Sequence, residues 1–240
     1  MKKGLVSVTF RGLDCGGIIE FSVGAGLKYI EWGGDIHIPA GDDATALRVN
    51  VLSSLAGLKS VGYGSYYNAA ASIDRFYPNL NTARALGAEY IRIWAGKSKE
   101  YDNNAAENIK TAVCAAVKYG ISVSLECHRG TMTEDAEQAV KLARNFGCKL
   151  HFQPNPDVSF DENLNTVRAF APYLCACHVF AWDKGDIRKP LSEQKDEWIE
   201  YAKEAPDVPF LLEFVMGDTL NQAYDDAATL GEILKKAGKH

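Results

Sequence analysis

Eight short apolar runs, separated by longer amphipathic stretches, limit what this chain can fold into. The runs are LVSVTF (5–10), KYIEWGG (28–34), KSVGYGS (59–65), EYIRIWA (89–95), ISVSLEC (121–127), KLHFQPN (149–155), CACHVFA (175–181) and FLLEFV (210–215). Their length and their β-branched and aromatic content read as strands. Between them the periodicity predicts helices over 42–57, 100–119, 133–146, 161–171, 192–204 and 218–237, with less regular segments at 14–26 and 68–87. Strand alternating with helix means parallel strands joined by crossovers. Eight units in 240 residues is 30 residues each. That predicts an α/β fold, a single (β/α)8 TIM barrel over 1–240, close to the usual barrel size of about 250 residues.

The doubly wound alternative needs a glycine-rich phosphate turn after the first strand. GLDCGGI lacks the GxGxxG spacing, and no GxxxxGK[ST] occurs, so no nucleotide cofactor is expected. A formal net charge of −5 argues against a nucleic-acid or anionic-membrane partner, since both select clustered lysine and arginine. The apolar run in MKKGLVSVTFRG is too short for a membrane span or a signal core. A cytoplasmic protein acting on a small molecule is expected. The six cysteines form no CxxC pair and read as reduced core thiols. Oligomeric state is not legible, and a homo-oligomer is compatible with the sequence.

In a (β/α)8 barrel the chemistry collects at the C-terminal ends of the strands. SLECHRG, 124–130, packs a glutamate, a cysteine, a histidine and an arginine directly after a buried run, and the other runs end in a similar way. Glu126, His178 and Glu213 each follow apolar residues on different strands, with Gln153 between them on the sixth. A charged group pointing into a packed barrel is costly unless it is paired or binds a cation. Two carboxylates, an imidazole and an amide oxygen from strands five to eight make a four-ligand site for a divalent cation. For Glu126 alone the competing reading is an ion pair with Arg92 or Arg129. Trp32, Trp94 and Trp182 read as apolar walls for sugar C–H faces or as plain packing; His37, Arg92, His128 and Arg188 read as groups for hydroxyls or an anion. His151, near a strand start, reads as a satisfied core histidine, His240 as a tail residue, Trp198 as helix packing and KSKEYD (97–102) as a solvated loop.

SLECHRG, HFQPNP, CHVFAWD and FLLEFV, with IEWGGDIHIP and IRIWAG upstream, resemble the xylose-isomerase-like sugar phosphate isomerase/epimerase superfamily of TIM barrels, strand by strand over nearly the whole chain. The resemblance implies that Glu126, Gln153, His178 and Glu213 hold one divalent metal and that Glu126 and Glu213 act as acid and base. Carboxylate-rich ligation favours Mn2+, with Mg2+, Co2+ or Zn2+ as alternatives. The implied reaction is isomerisation or epimerisation of a sugar or sugar phosphate, by proton transfer next to a carbonyl through an enediolate. The chain departs from the pattern at Gln153, where the family carries aspartate, and at Pro156, where it carries histidine. Asn155 is therefore an alternative ligand from that strand. Because the superfamily also contains dehydratases, two other readings stand beside the first. One is a metal-dependent dehydratase or hydrolase of a polyol or keto acid, the other a sugar-binding barrel without turnover.

Overall fold

A computed structural model describes residues 1–239; His240 lies outside them. Eight parallel strands close into a barrel: β1 (Lys3–Val6), β2 (Tyr29–Gly33), β3 (Lys59–Asn68), β4 (Tyr90–Trp94), β5 (Ser122–Glu126), β6 (Lys149–Phe152), β7 (Leu174–Val179) and β10 (Phe210–Leu212), with β10 pairing back onto β1. The eight expected strands and the closed fold are all present. Two further strands, β8 (Ala181–Asp183) and β9 (Ile187–Lys189), form an antiparallel hairpin after β7 that the sequence reading did not anticipate. The first strand is also shorter than expected, because Ser7–Phe10 turns into a 3-10 helix.

Eight helices jacket the barrel: α1 (Cys15–Gly24), α2 (Asp43–Leu55), α3 (Phe76–Leu86), α4 (Asn103–Ala116), α5 (Ala136–Phe146), α6 (Phe160–Phe170), α7 (Lys195–Glu204) and α8 (Leu220–Lys236). Their starts are written in short polar side chains. Asp14, Asp42, Asp102, Asp135 and Thr219 each accept a backbone N–H of the first turn, and Ser159 and Glu162 form a reciprocal capping box on α6. The two irregular segments resolve as α1 and as a 3-10 turn leading into α3. No helix among the described residues is long and apolar enough to cross a membrane.

Alternation along each strand divides the buried residues into two regions. Ile30, Trp32, Ile91, Ile93, Val123, Leu125, Leu150 and Phe152 face the helices and belong to the large apolar core. Val6, Val8, Val61, Tyr90, Ala176 and Leu211 form a smaller apolar cluster that belongs to the lumen. Around and above that cluster the lumen turns polar, with Glu31, Arg92, Ser124, Glu126, His151, His178 and Glu213 all buried. β3 makes room for them. A Cβ on Gly62 would lie 2.1 Å from the Tyr90 ring, and one on Gly64 would lie 2.6 Å from the Arg92 guanidinium and 2.9 Å from Glu31 Oε1. A strand with two glycines thus lets two large side chains cross the lumen.

Candidate active site

Glu31, from β2, is the hub of the polar lumen and is completely buried. Its Oε1 accepts from Arg92 Nε (2.8 Å) and its Oε2 from Tyr90 Oη (2.9 Å). The same Oε2 lies 3.3 Å from His151 Nε2 and 3.4 Å from His178 Nε2. Burial opposes its charge, but Arg92, His178 and His151 outweigh burial and hold its carboxyl well below the usual carboxylate range. Arg92 also donates to Glu126 Oε2, which receives the Trp94 indole N–H as well. Glu126 is likewise held ionised: burial resists its charge, and Arg92, His178, His128 and Trp94 prevail.

The other half of the site is left without partners. His178 Nδ1 and Glu213 Oε2 stand 3.4 Å apart, both buried and neither hydrogen-bonded. Gln153 donates its amide N–H to the Cys127 carbonyl (2.9 Å), while its Oε1 is buried with no partner. Asn155, by contrast, has its Oδ1 occupied by the Asp157 backbone N–H, and its backbone is clamped by Asn163. Gln153 therefore presents the free oxygen of that strand. Burial, with Glu126 and Glu31 adding to it, pushes the Glu213 carboxyl up to about 7 against the pull of His178 and Arg92.

Charge in the lumen does not balance by itself. Glu31 and Glu126, both held ionised, share one guanidinium, Arg92, beside Glu213, whose carboxyl is raised to about 7, and two imidazoles of raised pKa, so the acidic groups outnumber the one permanent cation. A divalent cation would neutralise this excess. Three potential ligand atoms, Gln153 Oε1, His178 Nδ1 and Glu213 Oε2, are buried there without hydrogen-bond partners. On its far side His178 meets Glu31, the carboxylate contact that commonly orients a ligating imidazole. Among the described residues, the His, Cys, Asp and Glu side chains that bring one ligand atom each within 4.8 Å of one another are Glu31, His151 and His178, and this deeper trio can hold an ion.

Other expected residues fall in three places. Trp94, His128 and Trp182 reach the mouth. Trp94 packs between Tyr66 (ring centroids 5.4 Å) and His128 (5.3 Å), and Trp182 lies with Phe180 (4.7 Å) and Phe214 (4.9 Å). A cavity of about 260 Å3 opens there, lined by Glu126, His128, Gln153 and Trp182 among others. Arg92 and Arg188 are already engaged, Arg92 by Glu31 and Glu126, Arg188 by Asp218 and the Phe214 ring. Trp32 and His37 do not reach the site. Trp32 points into the jacket and donates to Ser60 Oγ (3.0 Å). His37 is clasped by Ser7 Oγ (3.0 Å) and the Leu13 carbonyl (3.1 Å).

Sequence reasoning passed over Glu31 and Tyr90 as site residues and took His151 for a satisfied core histidine. His151 is buried in the lumen 5.0 Å from the His178 ring, with Nδ1 on Ser124 Oγ and Nε2 without a hydrogen-bond partner. One signal for Glu31 was available: YIEW repeats the pattern of SLEC, a carboxylate set directly on an apolar strand.

The fold recurs in solved structures. The probable 3-DHS dehydratase AsbF of Bacillus anthracis, involved in petrobactin synthesis, superposes with a TM-score of 0.77 at 16% identity, covering 96% of this chain and 99% of its own. L-ribulose 3-epimerase gives 0.75 at 15% identity, with 98% and 95% covered. The IOLI protein with a bound zinc atom gives 0.73 at 15%, with 98% and 99% covered. At these identities the likeness establishes the fold alone. Among curated proteins, none matches the sequence. A sequence profile of xylose isomerase-like TIM barrels matches residues 19–207, most of the chain, and with the closed eight-stranded barrel it establishes that this protein belongs to the xylose isomerase-like TIM barrel family.

Proposed function

We propose that this protein is a divalent-metal-dependent isomerase or epimerase of a polyhydroxy carbonyl compound, moving a proton on the carbon beside the carbonyl. The observation that carries the reading is the set of orphaned acceptors at the strand ends, Gln153 Oε1, His178 Nδ1 and Glu213 Oε2, in a lumen whose carboxylates outnumber its one guanidinium and under a cavity lined by Glu126 and Gln153. Glu126, Gln153, His178 and Glu213 would hold the ion, with Mn2+ favoured by the oxygen-rich donor set. When bound, it would polarise the substrate carbonyl and acidify the neighbouring C–H.

The protein's own groups then divide the work. Glu213 Oε2 has no hydrogen-bond donor on it, so it is free to take the proton. Glu213 can return the same proton to the adjacent carbon, and Glu126, held ionised in a fixed position by Arg92 and Trp94, delivers one to the opposite face after taking it from solvent. Glu31 orients the His178 imidazole and the Arg92 guanidinium together. The deeper trio is a poorer place for a catalytic ion. Glu31 there already accepts from Tyr90 and Arg92, and neither Glu31 nor His151 lines the cavity that Glu126 and Gln153 line.

Incubating candidate ketoses with the manganese-loaded protein in heavy water tests the reading. Deuterium should enter the reactive carbon, and Glu213→Gln should abolish that entry. No exchange with any ketose that binds would sink it. The likeness to a probable dehydratase supports a second reading. Proton removal beside a carbonyl also begins an elimination, and a product lighter by one water would mark that outcome. Metal analysis of His151→Phe separates the two ion positions: retained metal favours the upper set, and lost metal favours the trio.

A further inference from the structure

The mouth of the barrel is rich in arginine, yet its arginines are neutralised where they stand. Arg11 pairs with Asp35 at 2.5 Å. Arg129 is held twice, by Asp157 (2.8 Å) from the loop after β6 and by Asp186 (2.6 Å) from the hairpin. Arg188 pairs with Asp218 and lies over the Phe214 ring, and Arg92 is locked between Glu31 and Glu126. Among the described residues that line the cavity, Arg129 is the one lysine or arginine, against Glu126, Glu134, Asp135 and Glu162.

The opposite wall is aromatic. Phe180, Trp182 and Phe214 pack against one another with ring centroids 4.7 to 5.7 Å apart. Phe214, directly after Glu213, has a left-handed backbone (φ 51) that a side chain rarely adopts, and such strain persists where the surroundings fix it. The Trp182 indole N–H is buried in this wall with no acceptor. A buried donor without a partner calls for an explanation, and an incoming oxygen supplies one.

We infer that the substrate is uncharged: a free polyhydroxy aldehyde or ketone, neither phosphorylated nor carboxylated. It would lay a C–H face on Phe180, Trp182 and Phe214 and receive the Trp182 N–H on a hydroxyl oxygen. The inference rests on the proton-transfer reading above and narrows it. A phosphate monoester carries nearly two negative charges and needs cationic or N–H donors of its own. Here it would meet Asp135 and Glu162 beside Glu126 and Glu134, which Arg92 and Lys99 already answer, and would have to displace an aspartate from Arg129. A neutral polyol meets neither obstacle, and the small cavity suits a single short sugar.

Calorimetric titration of the magnesium-loaded protein with three probes tests this: a free ketohexose, the same ketohexose as its 6-phosphate, and a cyclic hydroxy-keto carboxylate. The free sugar should bind at least ten-fold more tightly than either anion. Trp182→Phe, which keeps the ring and removes the N–H, should weaken the free sugar several-fold. Asp157→Asn combined with Asp186→Asn, which releases Arg129, should improve phosphate-ester binding by at least ten-fold and leave the free sugar within two-fold. Equal or tighter binding of either anion by the unmodified protein would overturn the inference, as would failure of any free ketose in a tetrose-to-hexose panel to bind. Binding is read without turnover. A sugar that binds but takes up no deuterium would therefore count against the proton-transfer reading and not against this one.

Discussion

The jacket between strands and helices and the upper lumen of the barrel are both closed to water, and they are built from opposite materials. The jacket is aliphatic and aromatic, with Ile30, Leu125, Phe152, Phe170 and Trp198 at or near zero exposure. Its stability grows with area buried and depends on shape. The upper lumen holds three carboxylates, a guanidinium and two imidazoles in similar seclusion. There, burial alone is costly, and what decides stability is whether each charge is answered. The difference teaches where to look for chemistry. An apolar buried layer explains itself, whereas a charged one with atoms left unpaired calls for a ligand.

The sharpest break in this comparison should come from the carboxylates. Glu213→Gln keeps the side-chain volume and breaks no pair with Arg92, so the melting temperature should move little, whereas Glu126→Gln keeps the volume but loses the Arg92 pair and should lower it. Turnover of deuterium-exchanging substrate should fall by about 10²–10⁴-fold, the usual contribution of a positioned acid or base. Activity within a few-fold of the unmodified protein would remove both residues from the chemistry.

The reverse pattern is expected in the jacket. Phe170→Ala, on α6, empties a fully buried ring position and should cost about 3–5 kcal/mol in urea denaturation, while activity per folded molecule stays near its original level. Arg92→Met tests the boundary between the two regions. It strands Glu31 and Glu126 without their cation, which should cost about 3–5 kcal/mol, comparable with the cavity. Here the double variant Arg92→Met with Glu31→Gln should recover part of the loss, because one stranded charge is removed. Additive losses would mean that Arg92 is held by packing and not by charge. Gln153→Asp is milder: the added charge at the ligand position should tighten metal binding roughly ten-fold, or about 1.4 kcal/mol. An unchanged metal titration would show that no ligand comes from β6.

How much of this was legible beforehand depends on the range of the interaction. Strand count, barrel closure and the placement of Glu126, Gln153, His178 and Glu213 at strand ends follow from local periodicity and from the rule that barrels do their chemistry there. The β8–β9 hairpin is not legible because three-residue strands on either side of Lys184, Gly185 and Asp186 carry no periodic signal. Trp32 was given to the mouth although period-two alternation puts it on the opposite face from Glu31, and its indole is spent on Ser60. His151 reads as a satisfied core histidine from its place near the start of its run. Alternation between Leu150 and Phe152, which both face the helices, turns His151 into the lumen, where it sits beside Glu31 and His178. No local pattern reveals that Glu31 connects Arg92, Tyr90 and two histidines. Those partners come from three other strands and meet only in the closed barrel.

The smallest effect belongs to a histidine that lies in neither layer. The Leu13 carbonyl accepts from His37 Nε2, which puts the neutral proton there and leaves Nδ1 to accept from the Ser7 hydroxyl, whose oxygen in turn takes the Gly33 N–H. Burial lowers the His37 pKa, outweighing the backbone acceptors and Asp35 that favour its charged form, while Arg11 adds to the lowering. The folded state therefore binds a proton less readily at this position than the unfolded chain does. Its contribution to stability is complete above the unfolded value near 6.5 and is lost as pH falls from there through the lowered folded value. Glu213 and His178, both raised in the fold, work the other way, their contribution fading as pH rises. Subtracting the stability profile of His37→Gln from that of the unmodified protein isolates the His37 term. The difference should favour the unmodified protein more at pH 7.5 than at pH 5, and a difference that is flat with pH would show that this imidazole titrates alike in both states.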